Sequence, residues 1–212
     1  MNKQQEQLDA IQDIRTLMER SSKNLALSGL AGVIVGILAI ACIVTAYLIL
    51  GLSPDMPGYF NLIINKSGVA NSANTLFLLT NFGLVLIASV STGIFMSGRK
   101  AKKLGLPVWD LTTQRLLINM AIPLAAGGLY CLLLIYHLQI ALVAPATLIF
   151  YGLALLNASK YTINDIRYLG IIEVATGLLA TYFIDYGLLF WAFGFGILHI
   201  VYGLSIYFKY EK

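Results

Sequence analysis

The chain has 212 residues, 58% of them hydrophobic and 11% charged, against about 25% charged in soluble domains. The charges gather between long apolar runs, which excludes a single water-soluble core and specifies a polytopic membrane protein. The net charge of +4 comes from basic residues in short loops, so it speaks for orientation in a bilayer and against a nucleic-acid partner.

Taken in order, the first 24 residues are polar, with four basic and four acidic side chains. Within them "QEQLDAIQDIRTLMERSSKNL" sets Leu8, Ile11, Ile14, Leu17 and Met18 at helical spacing, with Gln, Asp, Glu and Arg on the other face. This predicts a cytoplasmic amphipathic helix over 1–24, separate from a transmembrane domain over 25–212. Residues 4–24 can lie on membrane lipid, pair with a copy in a homo-oligomer or dock a protein partner. Packing on the chain's own inner loops is the plainer alternative. The apolar run that follows is too long for a secretory signal and lacks a small-residue cleavage site, so it is predicted to stay as the first span.

Six runs are long enough to cross the hydrocarbon in about 20 residues. They lie at 25–50, 74–97, 116–136, 138–157, 168–184 and 187–208. Each must be helical, because lipid offers the main chain no other hydrogen-bond partner. Tight turns around His137 and Asp185–Tyr186 join the third to the fourth and the fifth to the sixth. The fifth run is short, and four spans with two re-entrant segments is the alternative. With the N-terminus inside, thirteen of the fourteen basic residues fall on one side, and only Lys66 is left outside. That bias predicts an even number of spans with both termini cytoplasmic. The outer loop 51–73 is rich in turn formers (Ser53, Pro54, Pro57, Gly58 and several Asn) and reads as a connector or an outer recognition segment.

An internal repeat is visible. "GGLYCLLLIYHLQ" at 127–139 aligns with "GLLATYFIDYGLL" at 177–189, and Tyr151-Gly152-Leu153 corresponds to Tyr202-Gly203-Leu204. The predicted fold is therefore all-α: three parallel helical hairpins, roughly 25–97, 116–157 and 168–208, plus the N-terminal helix. Gly32 and Gly36 in the first span, and Gly196 and Gly203 in the last, are spaced for close helix packing. Pro123 and Pro145 are expected to kink the third and fourth spans.

Few polar residues interrupt these runs. Glu173 lies about 8 Å inside the fifth span and His199 about 14 Å inside the sixth, at 1.5 Å per residue. Gly177, Ala180 and Thr181 continue the Glu173 face, which should turn toward protein. Tyr202, one turn inward of His199, matches the depth of Glu173 more closely still. These three residues are the candidate site, a buried polar cluster that binds a ligand or couples to a proton. A hydrogen-bonded clasp, or a carboxylate reaching Arg167 at the inner interface, is the alternative, since ionisable groups in a membrane take partners. Asn81, Ser89 and Asn119 are expected to bond a neighbouring helix or their own backbone. His137 and Asp185 could meet at the outer turns, but two ligands fall short of a metal site. Cys42 and Cys131 sit inside apolar runs, so no disulfide framework is expected. No phosphate loop, HExxH or CxxC motif is present, and no catalytic residue, cofactor or metal is expected.

The stretch "LMERSSKNLALSGLAGVIVGILA" at 17–39, with six spans and a "KY" near the close, resembles a group of small six-span bacterial membrane proteins of unknown function. That resemblance implies a bacterial inner membrane and carries over no site residues. Three functions follow in order of preference: a non-enzymatic protein binding or transporting a small or lipidic ligand within the bundle, a membrane-anchored regulatory scaffold working through its N-terminal helix, and an intramembrane acid/base enzyme.

Overall fold

The computed structural model describes Ile11 and residues 28–52, 71–105 and 107–212. The amphipathic segment 1–24 and most of the outer loop 51–73 therefore lie outside the described residues, apart from Ile11 and the loop's two ends. Everything described is helix or short connection, with no strand among these residues. The helices are α1 (Gly29–Leu50), α2 (Ser72–Lys103), α3 (Leu111–Tyr136), α4 (Val143–Ala158), α5 (Asp165–Tyr182), α6 (Gly187–Trp191) and α7 (His199–Tyr210). A π-helical stretch, Ala192–Leu198, joins α6 to α7, so that Ile184–Tyr210 forms one continuous rod. Five helical stretches are long and apolar enough to cross a membrane: α1, α2, α3, Ile140–Ala158 and the rod. The sixth, α5, has 18 residues and carries Asp165, Arg167 and Glu173.

The ends are set by local chemistry. Gly51 takes φ +63°, the left-handed conformation that lets α1 stop without a side-chain clash. Asp110 caps α3 by accepting from the Thr113 main-chain N–H at 2.7 Å. Hydrogen bonds from the Thr113 side chain and backbone hold its carboxyl below the usual carboxylate range. α2 runs past its expected end at 97 to Lys103, because Lys100, Lys102 and Lys103 are good helix formers that favour a helix C-terminus. Pro145 does not kink the fourth helix. That helix begins at Val143, which puts the proline in the first turn, where its missing N–H is no loss. α3 runs unbroken through Pro123. The two expected outer turns become His137–Gln139, with Leu138 left-handed at φ 58°, and the 3-10 turn Ile184–Tyr186. His137 and Asp185 are both exposed there.

Packing follows the glycines. A Cβ on Gly36 would fall 2.6 Å from the Gly196 carbonyl, and one on Gly203 2.7 Å from the Gly29 carbonyl, so α1 and the rod touch main chain to main chain. A Cβ on Gly152 would fall 2.7 Å from the Gly170 carbonyl, which makes α4 and α5 a second backbone contact. The fifth and sixth helices, expected as a hairpin pair, thus each have their closest neighbour elsewhere, α5 on α4 and the rod on α1. The rod also packs against α4 and α5, so it lies between that pair and α1. α3 joins α4 on the outside, where the Phe150 side chain fills the place of a Gly127 side chain. On the far side α2 is held to α1 by Asn81, whose Nδ2 donates to the Cys42 carbonyl at 3.0 Å. Asn119 bonds its own backbone at Arg115.

The charged ends meet at one pole. Glu211, just past α7, accepts from the first N–H of α1, at Gly29, and from Lys100 near the end of α2 at 3.2 Å. Asp165 at the start of α5 pairs with Lys209 at 3.0 Å and accepts from the Tyr210 hydroxyl at 2.7 Å.

Candidate functional site

Three elements build the site. On α5, Gly170, Glu173, Thr176, Gly177 and Ala180 are buried and share one face. Gly170 and Gly177 press that face onto α4, and Glu173, between them, is carried inward to 0% exposure. Thr181, expected to continue this face, is exposed, and Thr176 takes its place. From α4 come Leu148, also at 0% exposure, and Tyr151 one turn later. From the rod come Gly194 and Phe195 in the π-helical stretch and His199 at the start of α7, 6% exposed.

Gly194 makes room for the carboxylate. A Cβ there would stand 2.5 Å from Glu173 Oε2 and 2.5 Å from Leu148 Cδ2. His199 Nδ1 lies 3.0 Å from the Gly194 carbonyl oxygen and 3.5 Å from Glu173 Oε1. A carbonyl only accepts, so Nδ1 carries the hydrogen. The neutral ring then presents Nε2 as an acceptor, and the Tyr151 hydroxyl donates to it across 2.8 Å. Aromatic rings wall this chain of bonds. Phe195 stands 4.9 Å from Tyr151 and 5.8 Å from His199 between centroids, and Trp191 and Phe82 continue the wall.

Neither oxygen of Glu173 has a hydrogen-bond partner, and both are buried. This is the most costly arrangement among the described residues. An ionised carboxylate in an apolar interior needs a cation or several donors, and among the described residues the donor nearest to hand is the shared Nδ1–H of His199.

Of the three residues singled out in the sequence, the structure brings Glu173 and His199 together and leaves Tyr202 apart. Tyr202 is half-buried and packs on an apolar cluster nearer the charged pole with Leu155, Ile163, Ile166, Leu169, Leu198 and Ile206. At i+3 from His199 it is turned about 60° away around the helix. The phenol that meets the imidazole is Tyr151, from a helix that a comparison of depths along α5 and the rod alone does not include. Gly194 was missed as well. The sequence signal for Tyr151 was its place in the Tyr-Gly-Leu repeat. Gly194 had none beyond lying five residues before the histidine.

Among the described residues no three His, Cys, Asp or Glu side chains gather as a metal site requires. An open apolar groove of about 510 Å³ runs along Phe183, Tyr186, Leu189, Phe190 and Phe193, at the end of α5 opposite the charged pole and apart from Glu173. Comparison with known protein families, characterised proteins and solved structures found no match for this chain.

Proposed function

We propose that the chain is a non-enzymatic, six-span protein of the bacterial inner membrane, with both termini cytoplasmic, that binds or transports a small or lipidic ligand within its bundle at Glu173 and His199. The six-span reading takes α5 as the remaining span, since its 18 residues reach about 27 Å, close to the hydrocarbon thickness. Orientation is supported by the pole where α1 begins, α2 ends, α5 begins and α7 ends. The basic residues Arg99, Lys100, Lys102, Lys103, Lys209 and Lys212 flank those ends, as the cytoplasmic face of a membrane protein requires.

The observation that carries the functional reading is the pair of partnerless Glu173 oxygens. A clasp would use them, whereas a site left for a ligand leaves them open. Native mass spectrometry of the protein in lipid nanodiscs tests it. The expected result is a non-covalently bound mass on the wild type that Glu173→Gln and Gly194→Leu both lose. The same bound complement on all three proteins contradicts ligand binding at this site.

A further inference from the structure

We propose that this site also takes up a proton, carried by Glu173, and that His199, positioned by Tyr151, exchanges its Nδ1–H between the Gly194 carbonyl and the Glu173 carboxylate as the proton arrives and leaves. This rests on the reading of Glu173 as a functional group rather than a packing contact.

Space comes first. Glu173 and Leu148 are fully buried, and a single methyl on Gly194 would already collide with both. A hard metal cation asks for six or more oxygens at fixed distances. Among the described residues, the His199 ring brings the Gly194 carbonyl and the Tyr151 hydroxyl beside the carboxylate, and α5 adds the Thr176 hydroxyl, fewer oxygens than such a shell needs. A proton needs no such shell.

The geometry then supplies two states. His199 Nδ1–H faces two acceptors, one at 3.0 Å and one at 3.5 Å. With the proton on Glu173 the carboxyl is neutral, and the N–H stays with Gly194. When the proton leaves, the carboxylate becomes the stronger acceptor, since charge-assisted hydrogen bonds are roughly twice as strong as neutral ones. A small turn of the ring delivers the N–H to it. As the Glu173 O–H bond breaks, an O–H bond to a water molecule forms, and uptake runs in reverse from hydronium, while the imidazole keeps its Nδ1 hydrogen and Tyr151 keeps its own proton. By donating to Nε2, Tyr151 holds the ring in that tautomer in both states. Gly194 lies in the π-helical stretch, so the exchange acts on the main chain of the rod. Such π-turns recur at functional sites.

Among the described residues nothing else titratable intrudes. α4 brings only Tyr151, α5 only Glu173 and the rod only His199. α1, behind the rod, meets it here with Gly32, Gly36 and Ile40. Its Cys42 lies beside Asn81 of α2, and its Tyr47 at the edge of the apolar cluster around Leu148 and Trp191.

Infrared titration of the full chain in phosphatidylcholine–phosphatidylglycerol vesicles reads the proton directly. The expected result is one buried carboxylic-acid C=O band that vanishes as pH rises and is absent from Glu173→Gln. In Tyr151→Phe the midpoint should move about threefold to tenfold in proton concentration, the effect of one hydrogen bond. If Glu173→Gln fails to insert, Glu173→Asp must shift the same band. A band missing at every pH, unchanged in the Glu173 variants, or displaced by sodium or potassium at fixed pH overturns the proposal. A titrating band with no bound mass in nanodiscs removes only the wider ligand reading. A bound mass with no titrating band removes only this one.

Discussion

A carboxyl group with both oxygens unbonded and 0% exposure does nothing for folding that a neutral side chain of the same shape would not do. Burying a charge without full pairing costs free energy that an uncharged isostere avoids. Glu173→Gln is therefore expected to match or exceed the wild type in thermal stability, measured by the melting of the detergent-solubilised protein. A large loss would mark the carboxylate as a structural clasp. Residues of this kind are legible in sequence because contrast reveals them. An ionisable group inside an apolar run has few rivals, and Glu173 and His199 are named on that ground alone. Tyr151 and Gly194 offer no such contrast in a chain with 12 tyrosines and 19 glycines. Both fit the apolar pattern of their helices, and only the approach of a third helix gives them a part in the site.

Between helices, contact depends on absent side chains. α1 meets the rod through Gly29, Gly32 and Gly36 against Gly196 and Gly203, and without a hydrophobic drive in lipid such close packing supplies the association. Gly36→Leu places a branched side chain where a Cβ alone is 2.6 Å from the Gly196 carbonyl. It is expected to destabilise the protein by about 1–3 kcal/mol as the helices separate. Cysteines placed across the α1–rod contact should then cross-link less efficiently than in the wild-type background, and unchanged cross-linking would contradict the packing. The glycine spacing showed which helices would pack closely. It did not show which pairs would do so, because a small-residue stripe fits any partner that brings another. The π-helical stretch Ala192–Leu198 escaped for a related reason. No residue type marks an inserted turn, and a depth count at a uniform rise passes straight over it. Five of the six expected runs return as helices long and apolar enough to cross a membrane, since a long apolar run has few stable forms in lipid, and the fifth returns as α5, which falls outside that set.

At the scale of the molecule, charge and apolarity are sorted to opposite parts. Glu211 ties the starts and ends of three helices at the charged pole, and Asp165 adds a fourth. α2 turns almost its whole apolar surface outward, with only Leu78 and Ala101 buried, a face suited to acyl chains. Against that background the buried carboxylate is the exception on which the account turns: Glu173 belongs to the interior of the bundle, shielded from bulk solvent, while the other acidic groups among the described residues stand at helix ends. Modification of the vesicle-embedded protein with a water-soluble carbodiimide and an amine, read residue by residue by mass spectrometry, tests this most directly. The account predicts that Asp110, Asp165 and Glu211 are modified and that Glu173 reacts only after unfolding. Modification of Glu173 in the folded protein to the same extent as Asp165 would contradict it.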